Sequence, residues 1–275
     1  MVSSSFILNN NKSIILIDQS YYIFNRYFAS LNWFKRQIDN IDLDFDNLTN
    51  NDDFILAFFR HFENDIKKII KKFKTIKSNI ILCNDCSRSN IWRNELYENY
   101  KVARGKKNNF DSQIFILFKN YISNNDFNYC EFDNLEADDI TYLLQKKIRD
   151  EINDCKIIII TNDNDYLQMY NNNVLIINMQ FRDISLRIKH NPMIELEFKI
   201  IYGDKSDCIP KIQSGMKSEF ALKLAIMNNE DRNKYLIENN LMEKYLLNKK
   251  LVDLREIPNN LVIEFNNKYN IIIKK

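Results

Sequence analysis

Short, almost wholly apolar runs recur along the chain, and three of them lead into an aspartate. Residues 13–17 end at Asp18, residues 79–82 lead to Asp85, and residues 156–160 open into Thr161, Asn162 and Asp163. Residues 174–177 have the same character, and 127–132 and 269–273, though each holds polar residues, also suggest strands. Apolar runs of this length, lacking a polar alternate, predict strands buried on both faces, as in a parallel sheet. Helical spacing fills the intervals. Asp52 and Asp53 start a helix to about residue 74, with Phe54, Ala57, Phe58, Phe62, Ile66, Ile69 and Ile70 on one face. Further helices are predicted just after Asp18 and over 90–100, 111–123 and 136–149, and the chain is largely helical after Lys199. Strands alternating with helices predict an α/β fold with right-handed crossovers and a mostly parallel sheet covered on both sides. A domain boundary falls near 190–200.

The acids are ordered by this frame. Asp18, Asp85 and Asp163 lie where the carboxyl ends of parallel strands share one side of a sheet. Glu136 and Asp139 share a helix face, and Asp138 sits about 100° round from Asp139. Asp163 and Asp165 divide between neighbouring positions, and Asp204 and Asp207 repeat the three-residue spacing after the apolar segment 198–202. A lone aspartate means little, being common at helix starts and turns. Nine acids at one sheet edge repel one another unless cations lie between them. Hard ions such as Mg²⁺ take carboxylate and water oxygens, and paired ions suit phosphodiester hydrolysis, where attacking and leaving oxygens both need stabilisation. The pattern therefore reads as a metal-dependent nuclease.

Such an enzyme also needs cations for phosphates. Lys101 and Arg104 begin a polar stretch, 101–110, that also holds Lys106 and Lys107 and reads as a mobile cover. Tyr100 offers a ring to stack on a base, and Arg26 offers a second phosphate contact. Lys67, Lys68, Lys71, Lys72 and Lys74 read as a solvated helix face. With 39 basic and 37 acidic residues, the net charge of +2 exerts little pull on a polyanion, so the distribution of charge matters more. Five cysteines, an odd number placed beside apolar runs, suggest reduced thiols; Cys83 and Cys86 have the spacing of half a zinc knuckle, but no second pair follows. Residues 1–11 lack the pattern of a signal peptide and no segment approaches a membrane span, so the expected location is intracellular, cytoplasmic or otherwise internal.

These residues also carry a family pattern. The chain resembles the 5′-3′ exonuclease and flap endonuclease family, including the exonuclease domains of bacterial DNA polymerases and related phage enzymes. "LIDQSYYIFNRYF" looks like its first motif, with Gln19 in place of the usual glycine. "WRNELYENYKVAR" is similar to its Arg-x-x-x-Tyr-Lys-x-x-Arg segment, "NLEADDITYLL" to its acidic motif, and "IIITNDNDYLQM" to its strand ending in Asp-x-Asp. "IYGDKSDCIPKI" matches its Gly-Asp-x-x-Asp-x-Ile-Pro motif, with Cys208 where asparagine is usual. The resemblance covers roughly residues 13–225.

It implies a PIN-like core over 1–198 with a helical arch near 95–120, and a helical nucleic-acid-binding region over 199–275 that completes the metal site. That region would hold a helix-hairpin-helix module, degenerate here because only Gly215 survives of its glycines, with Lys217 and Lys223 as compensating charges. The implied metal ligands are Asp18, Asp85, Glu136, Asp138 and Asp163 around a first ion, with Asp165, Asp204 and Asp207 toward a second; Asp139 belongs to the same acidic cluster. Lys101 and Arg104 would be the catalytic basic pair. Two Mg²⁺ ions, replaceable by Mn²⁺, are implied. The implied activity, in replication, recombination or repair, is 5′-3′ exonuclease and structure-selective 5′ flap endonuclease cleavage of DNA by a monomer. An RNA-degrading nuclease of the same fold and a noncatalytic nucleic-acid-binding protein are the alternatives.

Overall fold

The computed structural model describes residues 4–37, 47–105, 110–152 and 154–274. In chain order the elements are β1 (Ser4–Asn9), β2 (Ile14–Asp18), α1 (Gln19–Gln37), α2 (Asp52–Phe73), β3 (Ile80–Asn84), α3 (Gln113–Asn124), β4 (Asn128–Glu131) and α4 (Ala137–Glu151). They continue with β5 (Ile157–Ile160), β6 (Val174–Ile177), α5 (Pro192–Tyr202), α6 (Ser218–Ile226), α7 (Asn229–Glu238), α8 (Met242–Val252), α9 (Asn259–Lys268) and β7 (Tyr269–Lys274). A five-stranded sheet runs β4-β3-β2-β5-β6 with every pairing parallel. The strand order reverses between β2 and β5, which makes the crevice beyond their carboxyl ends the natural ligand site of such a sheet.

Strand parity explains why these runs are apolar throughout. Ile14, Leu16, Ile81, Ile157 and Ile159 pack on one side with α4 residues such as Ile140 and Leu144. Ile15, Ile17, Ile80, Leu82, Ile158 and Ile160 pack on the other side with Tyr22, Phe58, Phe62 and Phe118 of α1, α2 and α3. Both faces are covered, so neither parity tolerates a polar residue until the strands end. A third cluster joins α5, α6, α7 and α8 through Ile200, Ile201, Ala221, Leu224, Leu236 and Leu251.

The predicted helix over 90–100 does not form. Two 3₁₀ turns, Arg88–Asn90 and Trp92–Glu95, replace it. Tertiary partners divert its backbone: the Trp92 N–H donates to the carbonyl of Asn134 and that of Lys101 to the carbonyl of Asp207. Strand β1 adds an element outside the sequence expectation; it pairs in parallel with β7, from Ser4 opposite Tyr269 to Asn9 opposite Lys274. Lys106 and Lys107 lie outside the described residues. Among the described residues no helix is long and apolar enough to cross a membrane.

Candidate metal centre

The alternation that fills the core also aims the acids. Asp18 continues the parity of Ile14 and Leu16, Asp85 that of Ile81 and Cys83, and Thr161 that of Ile157 and Ile159, so all three turn toward α4. The Thr161 hydroxyl donates to Asp18 Oδ2 at 2.9 Å, and the Tyr21 N–H donates to Asp18 Oδ1 at 3.0 Å. Asp85 accepts from the Ser20 hydroxyl and, at 2.8 Å, from the Ala137 N–H. That N–H is one of the unpaired donors at the start of α4, where a carboxylate is favoured. Asp85 thus ties the exit of β3 to the helix start that carries Glu136, Asp138 and Asp139.

Carboxylate oxygens of Glu136, Asp138 and Asp139 come within 4.8 Å of one another. Asp139 is fully buried and saturated: it takes both terminal nitrogens of Arg93 at 2.8 Å, the Trp92 indole N–H at 3.0 Å and the Glu136 backbone N–H at 3.2 Å. Asp139 stands in the acidic group as expected, with its oxygens engaged by Arg93, Trp92 and the Glu136 N–H. Arg93, itself buried, also donates to Glu136 at 2.9 Å and through Nε to the Leu251 carbonyl of α8. Glu136 further accepts from Tyr100 and Lys101. Asp138 remains the open carboxylate of the three, contacted by the Asp139 N–H.

A second group comprises Asp165, Asp204 and Asp207, again within 4.8 Å. Asp204 and Asp207 sit on a turn closed by paired backbone hydrogen bonds between Asp204 and Ile209, at 2.9 and 2.8 Å. Gly203 makes that closure feasible: its φ is +76°, and an added Cβ would lie 2.4 Å from the Ile209 carbonyl oxygen. Cys208, in the same turn, has a φ of +62°. Asparagine tolerates the left-handed region far better than cysteine does, because its side chain bonds locally. Cys208→Asn is therefore expected to stabilise the fold by up to about 1 kcal/mol, read as a raised midpoint in urea; a lowered midpoint would contradict it.

Three cations sit among these acids. Lys101 lies between the groups, with Nζ 2.5 Å from Glu136 and 3.7 Å from Asp207, and its own φ is +55°. Arg104 pairs with Asp207. Lys199, on α5, pairs with Asp165 and, at 2.6 Å, with Asp204. Arg93 and Lys199 were outside the sequence expectation. Lys199 stands as a charge between Phe198 and Ile200, which is the signal a buried ion pair leaves, whereas Arg93, followed by Asn94 and Glu95, carries no such signal.

Other expected contacts are placed elsewhere. Arg26 pairs with buried Asp65 of α2, joining two helices, and so is committed to the fold instead of a phosphate. Tyr100 is buried with its hydroxyl on Glu136, which removes its ring from base stacking. Lys217 and Lys223 are exposed at and within α6, and Gly215, with φ +74°, lines a cleft of about 350 Å³ with Lys217, Phe220 and Tyr235.

The electrostatics separate the acids into two kinds. Burial pushes Asp18 up to about 7, assisted by Asp85 and Asp163. Burial, then Asp139 and Glu136, raise Asp138 well above the carboxylate range, and desolvation with Asp165 raises Asp163. Glu136 and Asp204 are held at about 2, since Lys101 and Arg93, and Lys199, outweigh the burial that opposes ionisation. Carboxyls pushed up by one another are those a cation would relieve, and an all-oxygen donor set suits a hard divalent ion. The residues fit such a group.

The chain matches the family described as "5'-3' exonuclease, N-terminal resolvase-like domain" over residues 13–196. It is 28% identical over 245 residues to the "Ribonuclease H" of Enterobacteria phage T4, covering 78% of each chain. It is 27% identical over 206 residues to a "5'-3' exonuclease" of Mycoplasmopsis pulmonis, covering 72% of this chain and 61% of that one. Its fold is similar to that of the phage T5 D15 protein crystallised with metal ions, at a TM-score of 0.66 and 16% identity over 92% of this chain and 97% of that one.

Proposed function

The chain belongs to the 5′-3′ exonuclease family, and from that premise we propose that it is a divalent-metal-dependent 5′ nuclease, acting as exonuclease and flap endonuclease on DNA. The observation that carries this reading is the pair of acidic groups bridged by Lys101 at the switch point of the parallel sheet. Asp18, Asp85, Glu136, Asp138 and Asp163 would hold a first Mg²⁺ ion, and Asp165, Asp204 and Asp207 a second, with Mn²⁺ as a substitute. Such ions lower the pKa of a water nucleophile and stabilise the leaving oxygen.

The protein's own part is positioning. Lys101 and Arg104 reach the gap between the groups from one segment, so both can turn from carboxylates to the scissile phosphate when a substrate enters. Thr161 and Tyr21 orient Asp18, while Arg93 and Asp139 fix the start of α4. In this reading residues 1–198 are a PIN-like core with an arch near 95–120, and 199–275 bind the adjoining duplex as a monomer. Helices α5 and α6, joined by a loop carrying Asp204, Asp207 and Gly215, support a helix-hairpin-helix module there. The phage T4 relative's name favours one second reading, cleavage of RNA.

Labelled 5′ flap DNA, plain duplex and single-stranded RNA distinguish these readings. The flap with a free 5′ end is expected to be cut fastest, only with Mg²⁺ and not with chelator. Cleavage unaffected by chelator would overturn the metal reading, and faster cutting of RNA would replace the substrate assignment.

A further inference from the structure

Beyond β5, Asp163 in extended backbone caps the 3₁₀ turn Asn164–Met169 that carries Asp165, and this junction is held from two sides. The inner side is fixed: the Asp163 N–H donates to the Thr161 hydroxyl at 3.2 Å, and that hydroxyl bonds Asp18. On the outer side stands Arg187, a residue in none of the family motifs. Its NH1 donates to the Asn162 carbonyl at 3.2 Å and the Asn164 side-chain oxygen at 3.0 Å, and its NH2 donates to Asn162 Oδ1 at 2.6 Å. Asn162 and Asn164 flank Asp163, which caps the 3₁₀ turn and accepts the Asp165 N–H. One guanidinium thereby grips the residues on both sides of a ligand without touching the ligand.

Arg187 is itself anchored. It ends the 3₁₀ turn Ser185–Arg187, where the Ser185 N–H donates to Asp183 at 2.8 Å and the preceding Ile184 N–H pairs with Ile176 of β6. The clamp is thus referred back to the sheet, as is Asp18 from its other side. Arg187 also borders a cavity of about 370 Å³ shared with Asp163, Asp165, Lys199 and Asp204, across which Lys199 holds Asp165. A planar fork with several fixed donors can bridge three acceptors; an ammonium cannot reproduce that pattern.

We propose that Arg187 is a positioning residue for the metal centre: by clamping Asn162 and Asn164 it presets Asp163 and Asp165 for a divalent cation. This rests on the reading of those aspartates as ligands. Outer partners that orient ligands typically change metal affinity 10–100-fold. Because Arg187 is exposed, its replacement leaves the core intact.

The test is calorimetric titration of the full chain with Mn²⁺ alone, without nucleic acid. Asp163→Asn is expected to lose the ion that Asp163 would share with Asp18, Asp85, Glu136 and Asp138. Arg187→Ala should keep the number of ions but weaken that one about tenfold, and Arg187→Lys should recover only part of the loss. Asn164→Ala, which removes an acceptor instead of the donor, should weaken the same ion in the same direction. In turnover, Arg187→Ala should raise the Mg²⁺ concentration for half-maximal rate with KM for DNA unchanged. Unaltered Mn²⁺ affinity in Arg187→Ala, where the aspartate variant does lose an ion, would overturn the role of Arg187 alone. Full Mn²⁺ binding by the aspartate variant would overturn the ligand reading and this proposal with it.

Discussion

Replacing Asp163 and Asp165 together by asparagine is expected to slow single-turnover cleavage by a factor on the order of 10³ while the protein stays folded. Both side chains lie on the loop beyond β5, outside the apolar clusters, so the change removes charge and little packing. Asparagine keeps the size of aspartate and an acceptor oxygen, so the Asp165 N–H keeps a partner at position 163. Repulsion that adds to burial in pushing up Asp18 and Asp163 is reduced, while Lys199 loses Asp165 and keeps Asp204, so the metal-free variant should differ little in stability from the parent. Binding of nucleic acid should persist or tighten, because two negative charges facing a polyanion are gone. Quench-flow rates at saturating enzyme check this, and near-parental turnover by a folded variant would remove these residues from the site.

Arg93→Met is expected to act on stability instead. It leaves Asp139, fully buried, without its bidentate partner and removes one partner from Glu136. Breaking a buried pair on one side costs about 3–5 kcal/mol, a large share of a typical stability of about 5–15 kcal/mol. The tie from Arg93 Nε to the Leu251 carbonyl is lost as well, so α8 should loosen from the start of α4. Adding Asp139→Leu removes the orphaned charge and should recover part of the loss. Recovery stays partial because Trp92 and the Glu136 N–H also depend on Asp139. Urea unfolding of the three variants measures both terms; equal midpoints for parent and Arg93→Met would show that the pair contributes nothing.

The legible parts of the molecule were those whose signal is local. Val174–Ile177 and Asp52–Phe73 read off the chain because buried strands need continuous apolar residues and a half-buried helix needs its stripe. The acids were legible for a related reason, since each follows such a run. What failed depends on distant partners. The stretch with Ile91, Trp92, Leu96 and Tyr100 has helical spacing, yet Asn134, Asp207 and Leu251 claim its backbone and Arg93. Arg26 and Tyr100 looked available for nucleic acid because nothing near them in sequence reveals Asp65 or Glu136. Lys199 and Arg187 belong to no local pattern, and only the folded chain brings them beside Asp165, Asn162 and Asn164.

The parallel pairing of β1 with β7 has a consequence for the order in which the molecule can be made. Phe6 and Leu8 are buried in one cluster with Phe265 and Tyr269, and the ring of Phe6 stacks on that of Tyr269 at 5.5 Å. A ribosome emits β1 well before β7, and at about 5–20 residues per second the interval is on the order of tens of seconds. Through that interval β1 exposes an apolar face and an unpaired edge, while the five-stranded sheet can already assemble behind it. Contacts of such sequence separation form late and slowly. Until β7 emerges, the partner edge of β1 therefore remains a site for holdase chaperones or for mispairing with another chain.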